Sequence, residues 1–348
     1  MPCLYTHFSQ AAKPAPPPDS RLVSLVAEFY AALPRALEKV FIIDAQGQSV
    51  IHPDPKIRKN VAELFTHEQA PYNERINRAL EETREAKDFC CAPGSYEGLK
   101  AAFVFMSVDE KNKPFLGPNA PYIQELRFSF DHETAHGAIP DGLFGYKLIP
   151  ESIADAHGII NHYRHYGTET DVEQHLMMRR TQGMIFKGSV NWFTAPIIEE
   201  IIKHKDNYDF TQLSTEESMQ LAHRFARLHT RERTMYERLE KDYAPLTNLP
   251  NRRNAEPEEL YRPLADIVLA TSWPETFRWG AAVLSAAIEG RATHPLTHAP
   301  VVLEKRKWQK TVRKLKKMQS DYNAGDVFFG FKEKPKTKPA ARTMNSGK

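Results

Sequence analysis

The sequence predicts an α+β protein, mostly α-helical, with a small mixed α/β lobe at the N-terminal side and a larger helical lobe after it. Three observations carry this expectation. The β-prone runs all fall before residue 110, nearly every segment after Tyr122 has the apolar spacing of an amphipathic helix, and no repeat period is evident. With 348 residues, 41% hydrophobic and 26% charged, the chain is long enough to bury a sizeable core and reads as soluble and globular.

Taken in order, residues 1–20 are Pro- and Ala-rich around PAPPPD and are expected to be disordered. The folded part begins near Arg21, where Leu22, Val26 and Tyr30 share one side of a helix that Pro34 interrupts. Val40 to Ile43 and Ser49 to His52 then flank a turn containing Gln46 and Gly47, the pattern of a β-hairpin. Charged helical sequence runs from Ile57 to about Lys87, and Ala101 to Val108 is a third β-prone run. That run reads either as a plain core strand or as an edge strand that pairs with an extended peptide. Seven helical segments follow Tyr122, from ESIADAHGIINHYRHY to VLEKRKWQKTVRKLKKMQ. The expected division is an α/β lobe over 21–140, a helical lobe over 141–325 and a basic, disordered tail over 326–348.

The net charge of +3 is unevenly spread: residues 301–348 hold 14 Lys or Arg against 4 Asp or Glu. Such an end suits an acidic partner, an anionic membrane surface or nucleic acid. The favoured reading is a solvated helix face and tail, so a nucleic-acid partner is not expected. No apolar run approaches the roughly 20 residues of a membrane helix, and the opening residues lack the apolar core of a secretory signal. Three cysteines, two of them the neighbours Cys90 and Cys91, give no disulfide framework. The cytoplasm, or export by a route without a cleavable signal, is the expected location, and the oligomeric state is left open.

The stretch SFDHETAHGAIP sets His132 and His136 four residues apart, on one face of a helix, with Glu133 directly after the first. Two neutral imidazoles can then point at one metal ion while the carboxylate falls beside it, as a hydrolytic site requires. Thr134 and Ala135 are small and uncharged, which suits a buried helix. Such a string arises by chance in roughly a few per cent of chains, so a second segment matters. In IPESIADAHGIINHYRHYG, Glu151, Asp155, Gly158, His162 and His165 follow one helical stripe, with His157 pointing elsewhere. A glycine in that stripe suits a helix packed closely on another helix.

HETAH followed by ESIADAHG resembles the gluzincin group of zinc metallopeptidases, whose pattern is HExxH with a downstream ExxxD. It is similar both to thermolysin-like enzymes and to the CAAX-prenyl-protease type. The resemblance implies a zincin-like fold with one Zn2+ per chain, bound by His132, His136 and Glu151, with Glu133 as the general base acting on a zinc-bound water. Asp155 would accept the other ring N–H of a ligand histidine and fix its orientation. The 14 residues between His136 and Glu151 are fewer than in thermolysin, and no third histidine of the metzincin pattern follows. For the donor to the tetrahedral oxyanion, His162 is the first choice, with Tyr146, His165 and Tyr166 as others.

The function these readings imply is that of a hydrolase, a zinc-dependent metalloprotease acting on a protein or peptide. The alternative is a non-catalytic helical interaction protein that binds an acidic partner or nucleic acid through its basic C-terminal region.

Overall fold

The computed structural model describes residues 18–32, 40–46, 49–54, 73–86, 89–96, 99–111, 115–117, 119–139, 148–168, 170, 172–188, 190–228, 233–249, 254–295, 297 and 299–321. The disorder expected of 1–20 and 326–348 lies outside these residues except at 18–20, where Asp19 already caps a helix by accepting from the Arg21 N–H.

The chain opens with α1 (Ser20–Ala31), β1 (Val40–Asp44), β2 (Ser49–Ile51), α2 (Asn73–Ala86), β3 (Phe89–Tyr96) and β4 (Leu99–Met106). The strands form one sheet in the order β2-β1-β4-β3, in which β1 and β4 are parallel and the two outer pairs are antiparallel. Alternation along the strands divides the core into two layers. Val40, Ile42, Val104 and Met106 face α1 through Leu22, Leu25 and Val26, whereas Phe41, Ile43, Phe103 and Phe105 meet Ile76, Ala79 and Leu80 of α2. Each such side chain contributes about 1.5–3 kcal/mol by leaving water, so these layers make a firm base for what packs on them.

Two readings of the strands change here. The run at Ala101 to Val108 is not an edge, because β4 is hydrogen-bonded to β1 on one side and β3 on the other. Its backbone groups are already used, and no extended peptide can pair with it there. The sequence also gave no strand at Phe89–Tyr96, where Pro93 and Gly94 weaken the β pattern; β3 pairs only with β4, and an edge position tolerates a proline.

The remaining described helices are α3 (Tyr122–Ala138), α4 (Leu148–Tyr166), α5 (Val172–Lys187), α6 (Ala195–His204), α7 (Thr215–Leu228), α8 (Arg233–Thr247), α9 (Pro257–Ala270), α10 (Pro274–Ile288) and α11 (Lys305–Asp321), with 3-10 turns at Val190–Trp192, Lys205–Asn207 and Phe210–Gln212. The protein is thus α+β and mostly helical, as expected. Among the described residues no helix is long and apolar enough to cross a membrane.

Two compact units result: Met1–Arg180 with Ser189–Arg233, and Thr181–Gly188 with Thr234–Lys348. The division does not fall at residue 140. Helices α4, α6 and α7 belong with the sheet because α4 lies against α3, which itself rests on the sheet through Leu126 and Phe130. In the second unit the buried Trp279, Tyr243 and Tyr261 form the centre, and Trp308 and Leu315 hold α11 down. Gln182 donates to the Tyr261 hydroxyl (3.2 Å) and the Thr293 carbonyl (2.9 Å), which fixes the end of α5 within that unit.

Candidate metal centre

Helix α3 is buried nearly all round, from Glu125 through Ala135. A buried helix must satisfy its polar side chains internally. Glu125 does so in the first turn, where its carboxylate accepts the N–H groups of Phe115 and Leu116 at 2.7 Å each. That clamp holds Phe115 against the His132 ring, 4.9 Å between centroids. Thr134 returns its hydroxyl to the Phe130 carbonyl at 2.8 Å.

Helix α4 meets α3 in an antiparallel sense: Gly158 lies against Phe128, Asp155 against His132 and Glu151 against His136. Gly158 permits the approach. A Cβ there would sit 2.8 Å from the Phe128 ring, closer than any side chain tolerates. The expectation that this glycine marks a close helix contact is met by geometry. His157 departs from expectation and also faces α3. Its Nδ1 lies 3.0 Å from the Asp131 carbonyl oxygen and its Nε2 lies 3.1 Å from Asn161 Nδ2, so the ring donates to the former and accepts from the latter.

The close approach brings the two sequence segments together. His132 Nε2 and His136 Nε2 are 3.3 Å apart, His136 Nε2 is 3.6 Å from Glu151 Oε1, and His132 Nε2 is 3.8 Å from Glu151 Oε2. One ligand atom from each residue falls within 4.8 Å of the others, a spacing that could hold a metal ion. Four tetrahedral ligands at about 2.0–2.1 Å from zinc lie about 3.3–3.4 Å from one another, so the edge between the two histidines matches that geometry, and the two edges to Glu151, which end on different carboxylate oxygens, are slightly open. Glu133 stands beside the cluster, its Oε1 4.0 Å from His132 Nε2.

Asp155 is fully buried and acts as a hub. Its carboxylate accepts from Arg180 Nε and Nη2, both at 2.6 Å, and from the Thr194 hydroxyl at 2.5 Å. Its Oδ1 also lies 3.0 Å from His132 Nδ1, an oblique contact that favours the proton on Nδ1 and leaves the Nε2 lone pair toward His136 and Glu151. Arg180 Nη2 reaches on to Glu151 Oε2 at 3.4 Å, and the guanidinium lies over the Phe115 ring. Neither Arg180 nor Thr194 was singled out in the sequence. Arg179 and Arg180 are neighbours of the same type, and no local signal says which one turns inward. Trp192 is 44% exposed and its indole interacts with Glu151.

Charge shapes the titration of these groups. Burial opposes ionisation of Asp155, yet Arg180 and His132 hold its carboxyl well below the ordinary range. Burial raises the Glu151 carboxyl, with Arg180 and His132 opposing. For His132, burial lowers the pKa but the Asp155, Glu133 and Glu151 carboxylates outweigh it and raise it. His136 is pushed down to about 3, first by burial and then by His132. Glu133, Glu151 and Asp155 thus set three carboxyl groups around the two imidazoles, and Arg180 is bonded to two of them.

His162 is not brought to this cluster. It shares α4 with Glu151 but lies eleven residues further on, about 16 Å along the axis. There its ring packs on Tyr166, 4.8 Å between centroids, with both ring nitrogens buried and without a hydrogen-bond partner among the described residues. The shared stripe was read correctly, but the rise per residue carries His162 past the site, and His165 and Tyr166 lie further still. Tyr146 lies outside the described residues. Comparison with protein-family models, curated proteins and solved structures finds no match to this chain.

Proposed function

We propose that the protein is a zinc-dependent metallopeptidase of gluzincin type, in which His132, His136 and Glu151 hold one Zn2+ and Glu133 is the general base. The observation that carries this reading is the convergence of three ligand atoms from α3 and α4 with a fourth carboxylate beside them. A bound zinc supplies Lewis acidity toward a carbonyl oxygen and makes water a better nucleophile near neutral pH. The protein's own groups do the rest. Glu133, 9% exposed on its side chain, takes a proton from the attacking water and returns it to the departing amine nitrogen of a cleaved peptide. Asp155 orients His132, and Arg180 restrains both Asp155 and Glu151 so that the third ligand faces the imidazoles.

The substrate in this reading is a protein or peptide. In this reading the protein works in the cytoplasm of the producing cell or in that of a cell into which it is delivered. The decisive experiment pairs metal analysis with turnover. Purified, zinc-loaded protein contains one zinc per chain and cleaves casein or a peptide library, and Glu133→Gln keeps the zinc while losing cleavage. Normal cleavage by Glu133→Gln, or no stoichiometric zinc in the loaded wild type, refutes the proposal.

A further inference from the structure

The second compact unit carries a surface that the peptidase reading does not use. Helix α11 has eight cations, Lys305 to Lys317, and every one is exposed. Among the described residues only Lys307 has an acidic partner, Glu304 at 2.8 Å. Asp321 is the single acid of the helix and stands at its last position. A solvated helix face mixes charges of both signs and pairs them along i,i+4 rows, and α11 does neither. The face is solvated, as expected, but it carries charge of one sign.

The phase of the cations is informative. Trp308 and Leu315 are buried and turn the apolar side of α11 inward. At about 100° per residue the eight cations spread over about 200° of the opposite side, and Arg306, Lys310, Arg313 and Lys317 form its central row, about 16 Å long. Every exposed position of α11 is Lys, Arg, Gln, Ser or Asp, so no apolar side chain stands among the cations to enter a lipid layer. A flat anionic surface meets only the central row. A concave polyanion meets the row and both flanks together. The major groove of B-form DNA, about 12 Å wide and walled by phosphates, admits a helix about 10–12 Å in diameter.

We propose that the exposed face of α11 is a binding surface for double-stranded DNA, held by contacts of its lysines and arginines to backbone phosphates. This activity is separate from the peptidase reading and does not rest on it. Recognition of this kind is weakly selective for sequence and strongly dependent on salt, because each neutralised phosphate releases counterions.

The test is fluorescence anisotropy of the full chain with a labelled duplex of mixed sequence between about 50 and 200 mM salt, where log K should fall by about 0.9 per contacted phosphate for each unit of log salt. Wild-type protein is expected to bind with a slope of about −4 or steeper. The quadruple variant R306Q, K310Q, R313Q and K317Q should lose at least about tenfold in affinity at the lower salt and flatten the slope by about 3 to 4. Its unfolding midpoint and zinc content should match the wild type, since all four side chains are exposed. The charge-preserving pair Lys310→Arg and Lys317→Arg should retain binding. Absence of DNA binding by the wild type, unchanged binding by the quadruple variant, or equal binding to anionic phospholipid vesicles or to polyglutamate overturns the proposal.

Discussion

Replacing Asp155 by Asn perturbs the centre without changing its volume. The carboxylate is fully buried and carries two 2.6 Å bonds from Arg180, one from Thr194 and the 3.0 Å contact with His132 Nδ1. An amide keeps one acceptor oxygen but turns its NH2 toward a donor of Arg180, and the guanidinium loses its counter-charge. Breaking a buried pair from one side costs about 3–5 kcal/mol. Arg180 retains Glu151 at 3.4 Å, so the loss should fall near the lower end, about 3 kcal/mol. With a urea slope of about 3 kcal/mol per molar, the midpoint drops by about 1 M. Separately, His132 loses the carboxylate that orients its ring, which should weaken zinc by about 10–100-fold. Urea unfolding in the presence of a chelator reads the first effect, and competition with a chromophoric zinc chelator reads the second. Thr194→Val is the control, removing one bond to Asp155 without its charge, at a cost of about 1.5–3 kcal/mol and with zinc affinity nearly unchanged. If Asp155→Asn remains folded and binds zinc as tightly as the wild type, the assignment of Asp155 as the residue that orients His132 is wrong.

Three further outcomes are expected. His136→Ala should abolish stoichiometric zinc while the protein stays folded, since the ring is only partly buried at the edge of the cluster; retention of one tightly held zinc by metal analysis would contradict the ligand set. Gly158→Ala should destabilise the protein by about 1–2 kcal/mol, the strain against Phe128 exceeding the better helix propensity of alanine, and Phe128→Leu in the same chain should recover part of it; a more stable Gly158→Ala protein would refute the close contact. Burial, with His165 second, pushes His162 down to about 4 from an ordinary 6.5. Between those values the unfolded chain binds a proton that the native protein does not, so this group's contribution to stability is lost as pH falls from about 6.5 to about 4, at up to about 1.4 kcal/mol per pH unit. His162→Phe should flatten that slope in urea midpoints measured across the same window, and an unchanged slope would show that His162 does not titrate in this way.

The parts legible in the sequence are those decided within one helix. His132 with His136, and Glu151 with Asp155, are i,i+4 pairs whose shared faces follow from 3.6 residues per turn, and Gly158 announced a close neighbour because a missing Cβ has few other uses there. The same rule misled where distance along the axis mattered: it set His162 on the stripe but carried it three turns past the cluster. Strand β3 was hidden by Pro93 and Gly94, which only its edge position makes tolerable. Arg180, Thr194 and Trp192 come from segments whose local pattern says nothing of Asp155 or Glu151, and the inward turn of Arg180 follows only from the carboxylates that α4 sets beside it. Helical phase is a short-range property of the backbone and is written into residue spacing. The partner across an interface is chosen by packing and charge balance among elements far apart in the chain, and these exist only once the chain has folded.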